Sequence, residues 1–299
     1  MAESIVPPSA GGVLTAEQVQ AILVQPLTAA SVFLAAGPRI FDVTAAGVVR
    51  VPTLVGMDAP SWHGENEQIN EVNATFAEVR LLDGIKSLKS LTRFSNELAR
   101  SSIVALDAAL RDRMVLDVAS KLDTALIAGS GDPDANGKRT TPLGIINYAG
   151  TQQILAAGAP SVDVLLDAVG LLLGANVNVS ACRVFMTSRD FIAFRKLKDL
   201  QGHYLLQPDP TQDAVFRVLG LPITITNRLP VGTGTGKPST IVLADMSKIA
   251  VARDLSPSVK LLDQTFAAFD QQAIRVVAHY DAAPLLPAAV VCVRGVTGV

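Results

Sequence analysis

The stretch Asp199-Leu200-Gln201-Gly202-His203-Tyr204-Leu205, leading on to Leu219-Gly220-Leu221-Pro222-Ile223, decides how this chain is read. Locally it is an aromatic just after a glycine, then a loop, then an apolar strand entered through a proline. Such a segment is either a ligand loop built around His203 or a structural loop that meets other copies of the chain. The remaining sequence has to separate these two readings.

Composition points away from several function classes. The chain has 299 residues, 49% hydrophobic and 17% charged, with a net charge of −2. An ordinary soluble domain has about 25% charged residues, so this one is unusually aliphatic. That suits either a large core or extra burial against copies of itself. The balance of charge gives no strongly basic chain for tight nucleic-acid binding. Cys182 and Cys292 lie in β-like apolar runs and read as two buried free thiols. No basic stretch precedes an apolar run at the start, so no signal peptide is expected. The longest apolar segments, 27–36 and 284–293, are too short to span a bilayer.

Along the chain, residues 1–13 are rich in Pro, Ser and Gly and read as an arm. A helical pattern starts at Thr15, is interrupted by Pro26 and breaks again at Gly37-Pro38. Residues 47–56 read as a strand, with Pro52 placing it at an edge or in a protruding ribbon. Residues 58–73, with Trp62, Glu65, Glu67 and Glu71, form a polar, acidic loop tip. Two further β-like runs, 75–82 and 85–94, flank Asp83-Gly84. That pair signals either a two-residue hairpin or a bulge in one long returning strand.

Residues 103–128 carry the strongest helical signal. Leu106, Leu110, Met114, Val118, Leu122 and Leu126 recur every four residues, with Asp107–Arg111 and Asp117–Lys121 as i, i+4 charge pairs. A spacing of four overshoots one turn by about 40°, so the stripe drifts around the rod and should touch different layers along its length. Gly129 ends it. Further on, helices are expected over 162–176 and from a cap at Ser188 to Leu200. Strands are expected over 183–187, 221–226 and 240–244, with mostly β structure over 259–296. The order is mixed rather than alternating, which favours α+β.

No chemistry-bearing constellation emerges. Asp132-Pro-Asp134-Ala-Asn136-Gly137 imitates a calcium loop, but its twelfth position is Leu143 rather than a bidentate carboxylate. Gly131 to Gly137-Lys138 has the wrong spacing for a phosphate loop. Gly232-Thr-Gly234-Thr-Gly236-Lys237 has Val231 in place of the first glycine and Pro238 after the lysine. His63, His203 and His279 are far apart with no ligand spacing around them. No catalytic, cofactor-binding or metal-ligating residue is therefore assigned.

Several blocks, in order, carry a resemblance. They are Trp62-His63-Gly64-Glu65 before the acidic loop, Thr75-Phe76, Phe94-Ser95-Asn96-Glu97-Leu98 and the long helix. Ala128-Gly129-Ser130-Gly131 with Pro142-Leu143-Gly144-Ile145 follows, then Val184-Phe185-Met186-Thr187-Ser188-Arg189-Asp190. The opening stretch comes next, then Val242-Leu243-Ala244-Asp245-Met246-Ser247 and Arg275-Val276-Val277-Ala278-His279-Tyr280. On these blocks the chain resembles the HK97-type major capsid proteins of bacteriophages over about residues 40–296.

The resemblance implies an α+β HK97-like capsid fold. Residues 1–49 would be an N-terminal arm and 50–92 an extended β-ribbon loop. A peripheral domain would join 93–150 to 254–299 and include a spine helix over 103–128. An axial domain would span 151–253. The implied function is a major capsid protein of a tailed phage, built into pentamers and hexamers of an icosahedral shell around double-stranded DNA. Implied partners are the chain itself, neighbouring capsomers through ribbon and arm, a portal, a separate scaffold or protease, a decoration protein, and DNA held non-specifically. No membrane is involved, and assembly would take place in the host cytoplasm. Family members often carry a long N-terminal scaffolding extension, so this shorter chain implies a processed form, or a scaffold that is separate or unnecessary.

Some members cross-link through a lysine, an asparagine and a catalytic glutamate. The matching positions here are Glu78, Thr265 and Gln272, so no autocatalytic cross-link is expected. Two other readings stay on the table. One is an encapsulin-type compartment, although the segment 15–36 does not resemble its cargo-binding start. The other is a nucleotide-handling enzyme resting on the two imperfect phosphate loops.

Overall fold

A computed structural model describes residues 30–43, 48–57, 61–66, 68, 71, 73–81, 86–97, 106–132, 140–198, 201–204, 217–233, 236–254, 258–262 and 264–297. The helix expected from Thr15, the Asp83-Gly84 turn and the calcium-like loop over 133–139 lie outside these residues. So does the start of the long helix before Leu106.

Three sheets organise the described residues. The first contains β1 (Arg39–Val43), β4 (Ser87–Ser95), β10 (Ile249–Asp254), β11 (Ser258–Leu262) and β12 (Gln271–Pro284). Strand β12 is its backbone. Its second half pairs with β10 and its first half with β11, both along one edge, while β4 runs along the other. Strand β1 adds in parallel to β10, and Arg253 reaches back to Asp42 at 2.7 Å. The second sheet has the order β5 (Gln152–Gly158), β13 (Val290–Val296), β9 (Ser239–Asp245), β6 (Cys182–Met186), β8 (Leu221–Ile225), β7 (Arg217–Val218). Its central strand β9 is buried at every position, which is where much of the aliphatic excess goes. The third sheet is a two-stranded ribbon of β2 (Val49–Met57) and β3 (Ala74–Leu81).

Four α-helices are described: α1 (Val32–Ala35), α2 (Leu106–Ala128), α3 (Val162–Gly174) and α4 (Ser188–Arg195). The drifting stripe of α2 behaves as its period predicts. Met114 packs on Ile274 and Val276 of β12, while Val118, Leu122, Leu126 and Ile127 enter a core shared by both large sheets. That core joins Val251, Tyr280 and Ala282 of one sheet to Phe185, Val242 and Val290 of the other. Helices α3 and α4 bury Leu165, Ala168, Leu172, Phe191 and Phe194 against the second sheet in a separate core.

Several expectations change in detail. Strands β3 and β4 do not pair with one another: β3 pairs with β2 and β4 with β12. The hairpin reading is therefore wrong, because the long apolar strand β12 offers β4 a better partner than a ribbon can. The N-cap of α4 is Thr187, not Ser188. Its hydroxyl accepts from Asp190 N at 3.2 Å and donates to Asp190 Oδ2 at 2.7 Å, and the helix stops at Arg195 rather than Leu200. Helix α3 stops at Gly174. Strands β5, β7 and β10 had no signal strong enough to be read. On α2, Asp117 pairs at 3.2 Å with Arg113, one turn before it, where the sequence pattern had offered Lys121, one turn after it.

The sheets also cross the expected domain spans at two places. Val290–Val296, expected within 254–299, is the second strand of the sheet built from 151–253. Ile249–Asp254, expected in the axial span, belongs to the β12 sheet. A chain that passes from one sheet to the other and back knits the two cores together.

Candidate functional site

The exposed ribbon is the most prominent surface feature. A lone two-stranded ribbon is marginal in water, so this one calls for support from another surface. Among the described residues strand β2 pairs only with β3, which lets Pro52 occupy a ladder position opposite Glu78. Glu78 lies 3.3 Å from both Arg50 and Arg80, forming a partly exposed charge triplet on the ribbon. Trp62, between the two strands, is 102% exposed, and Phe76 on β3 is 70% exposed. His63 Nε2 lies 2.9 Å from Ser61 Oγ.

Where the ribbon joins the body, Lys86 Nζ donates to Asp281 Oδ2 of β12 at 2.5 Å, with both side chains buried. A second buried carboxylate holds α1. Asp123 of α2 accepts from Ser31 Oγ at 2.5 Å and from Val32 N and Phe33 N at 3.0 and 3.2 Å. Burial is the largest influence on Asp123 and pushes its pKa up from 3.8, against the lowering effect of these donors.

The segment quoted at the outset is divided by the fold. Gly202, His203 and Tyr204 are exposed, and Lys198 Nζ sits 4.8 Å from the Tyr204 ring centre. The second half forms the edge hairpin β7–β8. Its two-residue turn places Leu219 at φ 52° and Gly220 at φ 78°, the left-handed pair a tight hairpin needs. Leucine at such a position is uncommon.

The sequence-selected loops are described only in part, without residues 133–139 and 234–235. Leu143, the would-be twelfth calcium ligand, is buried and bridged to Ser130. Around the second phosphate-like loop, Gly232 N donates to Pro238 O at 2.7 Å and the chain continues into strand β9, not a helix. Among the described residues no group of three His, Cys, Asp or Glu side chains could hold a metal, and no helix is long and apolar enough to cross a membrane. Cys182 and Cys292 are free and buried, their thiols pushed up to about 11 and about 12 by desolvation. The positions matching the cross-linking residues are Glu78 on the ribbon, exposed Thr265, and Gln272 on β12. Sequence reasoning missed the Lys86–Asp281 and Ser31–Asp123 pairs, whose members are 195 and 92 residues apart.

A spine helix shared by two sheets, with a protruding ribbon, defines an α+β subunit of the HK97-like capsid fold. The phage capsid family matches residues 11–295, and the chain belongs to that family. It is accordingly a structural capsid protein, not an enzyme. Solved structures share the fold at low identity. The capsid of an empty GTA particle is 18% identical with a TM-score of 0.67, covering 99% of this chain and 96% of that one. A chain from Mycobacterium phage Bobi is 16% identical with a TM-score of 0.66, covering 100% and 96%. One from Mycobacterium phage Cain is 17% identical with a TM-score of 0.64, covering 84% and 82%. A search of curated proteins found no match.

Proposed function

We propose that this chain is the major capsid protein of a tailed phage, closing into pentamers and hexamers of an icosahedral shell around double-stranded DNA. The observation that carries this reading is the ribbon, with Trp62 fully exposed at its end, on a chain matched to the phage capsid family over residues 11–295. In this reading residues 1–49 are the arm and 50–92 the extended loop over a neighbouring subunit. The β12 sheet and α2 form the peripheral domain. The second sheet, with β13 included, forms the axial domain at the five-fold and six-fold axes. Portal, scaffold or protease, and decoration protein would be further partners, with assembly in the host cytoplasm.

Glu78 supports a shell without covalent cross-links, because a carboxylate paired to two arginines has no amine to donate. Electron microscopy of the expressed chain, with nucleic-acid analysis of the purified particles, tests the proposal. Closed icosahedral shells without a protein cargo are expected. Particles that enclose a protein cargo instead would show an encapsulin-type compartment, and absence of particles would refute the shell reading. On a denaturing gel mature shells should give a monomer band; a ladder of covalent oligomers would refute the absence of cross-linking.

A further inference from the structure

Lys86 and Asp281 are placed for more than an ion pair. Their side chains are 6% and 1% exposed, with Nζ 2.5 Å from Oδ2. Oδ2 is bonded directly to Cγ, so Nζ stands about 3–3.5 Å from Cγ, the range in which reacting atoms are held before attack. The other carboxylate oxygen has its own donor: Oδ1 accepts from Ala282 N at 3.1 Å. A backbone N–H aimed there stabilises the negative charge that collects on Oδ1 when Cγ becomes tetrahedral.

The surroundings are dry. Asp281 lies opposite Ala252 of β10, and Ala283 is the next residue on the same side of β12; both alanines are buried. Leu81, the last residue of the ribbon, is buried in one cluster with them. Such a site disfavours the charged forms of both groups. Proton transfer from the ammonium to the carboxylate, which makes the amine a nucleophile, therefore costs less here than in water.

We propose that Lys86 and Asp281 condense to an amide within one copy of the chain. Nζ attacks Cγ, the Cγ–Oδ2 bond breaks, and Oδ2 leaves as water with two of the three ammonium protons. The third proton stays on the amide nitrogen. The two charges cancel, nothing is oxidised or reduced, and no co-reactant is needed. The proton transfers run within the pair, so closure follows folding, and the freshly folded chain holds the open ion pair. Exclusion of water from the site then protects the amide from hydrolysis.

The bond ties the return of the ribbon to β12 across 195 positions. Closing so long a loop restricts the unfolded chain, so the bonded protein resists denaturation better than the open one. It differs from a cross-link between copies. Glu78, Thr265 and Gln272 take no part in it, and a denaturing gel still shows a monomer band. It forms whether or not the chain closes into shells.

The test is mass spectrometry of the full chain, sampled from fresh folding through several days of storage in the folded state. The intact mass should fall by one water in a growing fraction of molecules, and not at all in chain kept in urea. After trypsin, residues 81–89 and 276–294 should appear as one branched peptide, uncleaved after Lys86. Lys86→Arg, which keeps the cation, should retain the full mass, as should Asp281→Ala. Separate peptides at full mass after storage of the native chain overturn the proposal, however the variants fold. So does a water lost only within 81–89 with the two peptides separate, which marks a succinimide at Asp83-Gly84. A branch through any other pair of residues overturns it as well.

Discussion

Lys86 and Asp281 form a buried ion pair, Nζ to Oδ2 at 2.5 Å, that ties the residue just before β4 to the half of β12 that pairs with β10, 195 positions away. The chain leaves the ribbon at Leu81 and enters the sheet at Ser87, so this pair sits where the ribbon's direction is set. Removing one partner takes this contact from a charge that stays buried, which costs up to about 3–5 kcal/mol; Asp281 keeps its hydrogen bond from Ala282 N at 3.1 Å. Lys86→Met and Asp281→Leu should each shift the urea midpoint strongly downward, while the double substitution recovers most of the loss. A purely additive double-mutant cycle would show that the pair carries no coupling.

Asp123 should make stability depend on acidity in a particular direction. Its folded-state pKa is raised by burial, so the native state holds this proton more tightly than the unfolded chain does. The contribution is full below the ordinary value of 3.8 and is lost as pH rises through the higher folded value. Asp123→Asn turns an amide toward backbone N–H groups that now meet oxygens, so it should melt lower throughout. Its deficit against the native chain should widen between about pH 7 and about pH 4. Melting curves that converge on acidification would contradict this.

Gly144 is fixed by a close approach rather than by an unusual backbone angle. A Cβ there would meet Gly129 N at 2.4 Å, Ile127 O at 2.5 Å and Ala128 Cα at 2.6 Å, all at the end of α2. Gly144 N also donates to Gly129 O at 2.9 Å. Gly144→Ala must push this turn off the helix, at a cost of about 1–3 kcal/mol or more. Gly170→Ala, with open space around it on α3, should stabilise by about 0.5–1 kcal/mol. Thermal melting of the two variants checks the contrast, and equal melting temperatures would refute it.

Cys182 and Cys292 should be unreactive in the folded chain. Desolvation holds their thiols near pKa values of about 11 and about 12, and neither is exposed. Titration with a thiol reagent at neutral pH should therefore find no reactive group until denaturant is added, and then two. Fast labelling of either in the native state would show that its core opens.

The legible parts of the chain were those written in local patterns. The four-residue stripe of α2 marked a helix whose buried side turns from β12 toward the second sheet, and Met114 and Leu126 do contact those different cores. Pro52 announced an edge position, and Trp62 with its acidic neighbours announced an exposed end. What stayed illegible depended on distant partners. Strand β5 is short and aliphatic, and only the parallel ladder to β13 makes it a strand. Strand β4 looked like half of a hairpin until β12 claimed it.

By itself the sequence determined the α+β class, the spine helix, the ribbon and, through the order of its motifs, the likeness to a capsid family. These are set by the periodicity of apolar residues, by turn chemistry and by where prolines can sit. Only the tertiary structure decided that β13 completes the sheet of residues 151–253 and that Lys86 finds Asp281. Each of these is a relation between residues far apart in the chain. Local propensity carries no information about such pairs; they are settled when the chain buries its apolar surface and its charged groups find partners or remain outside.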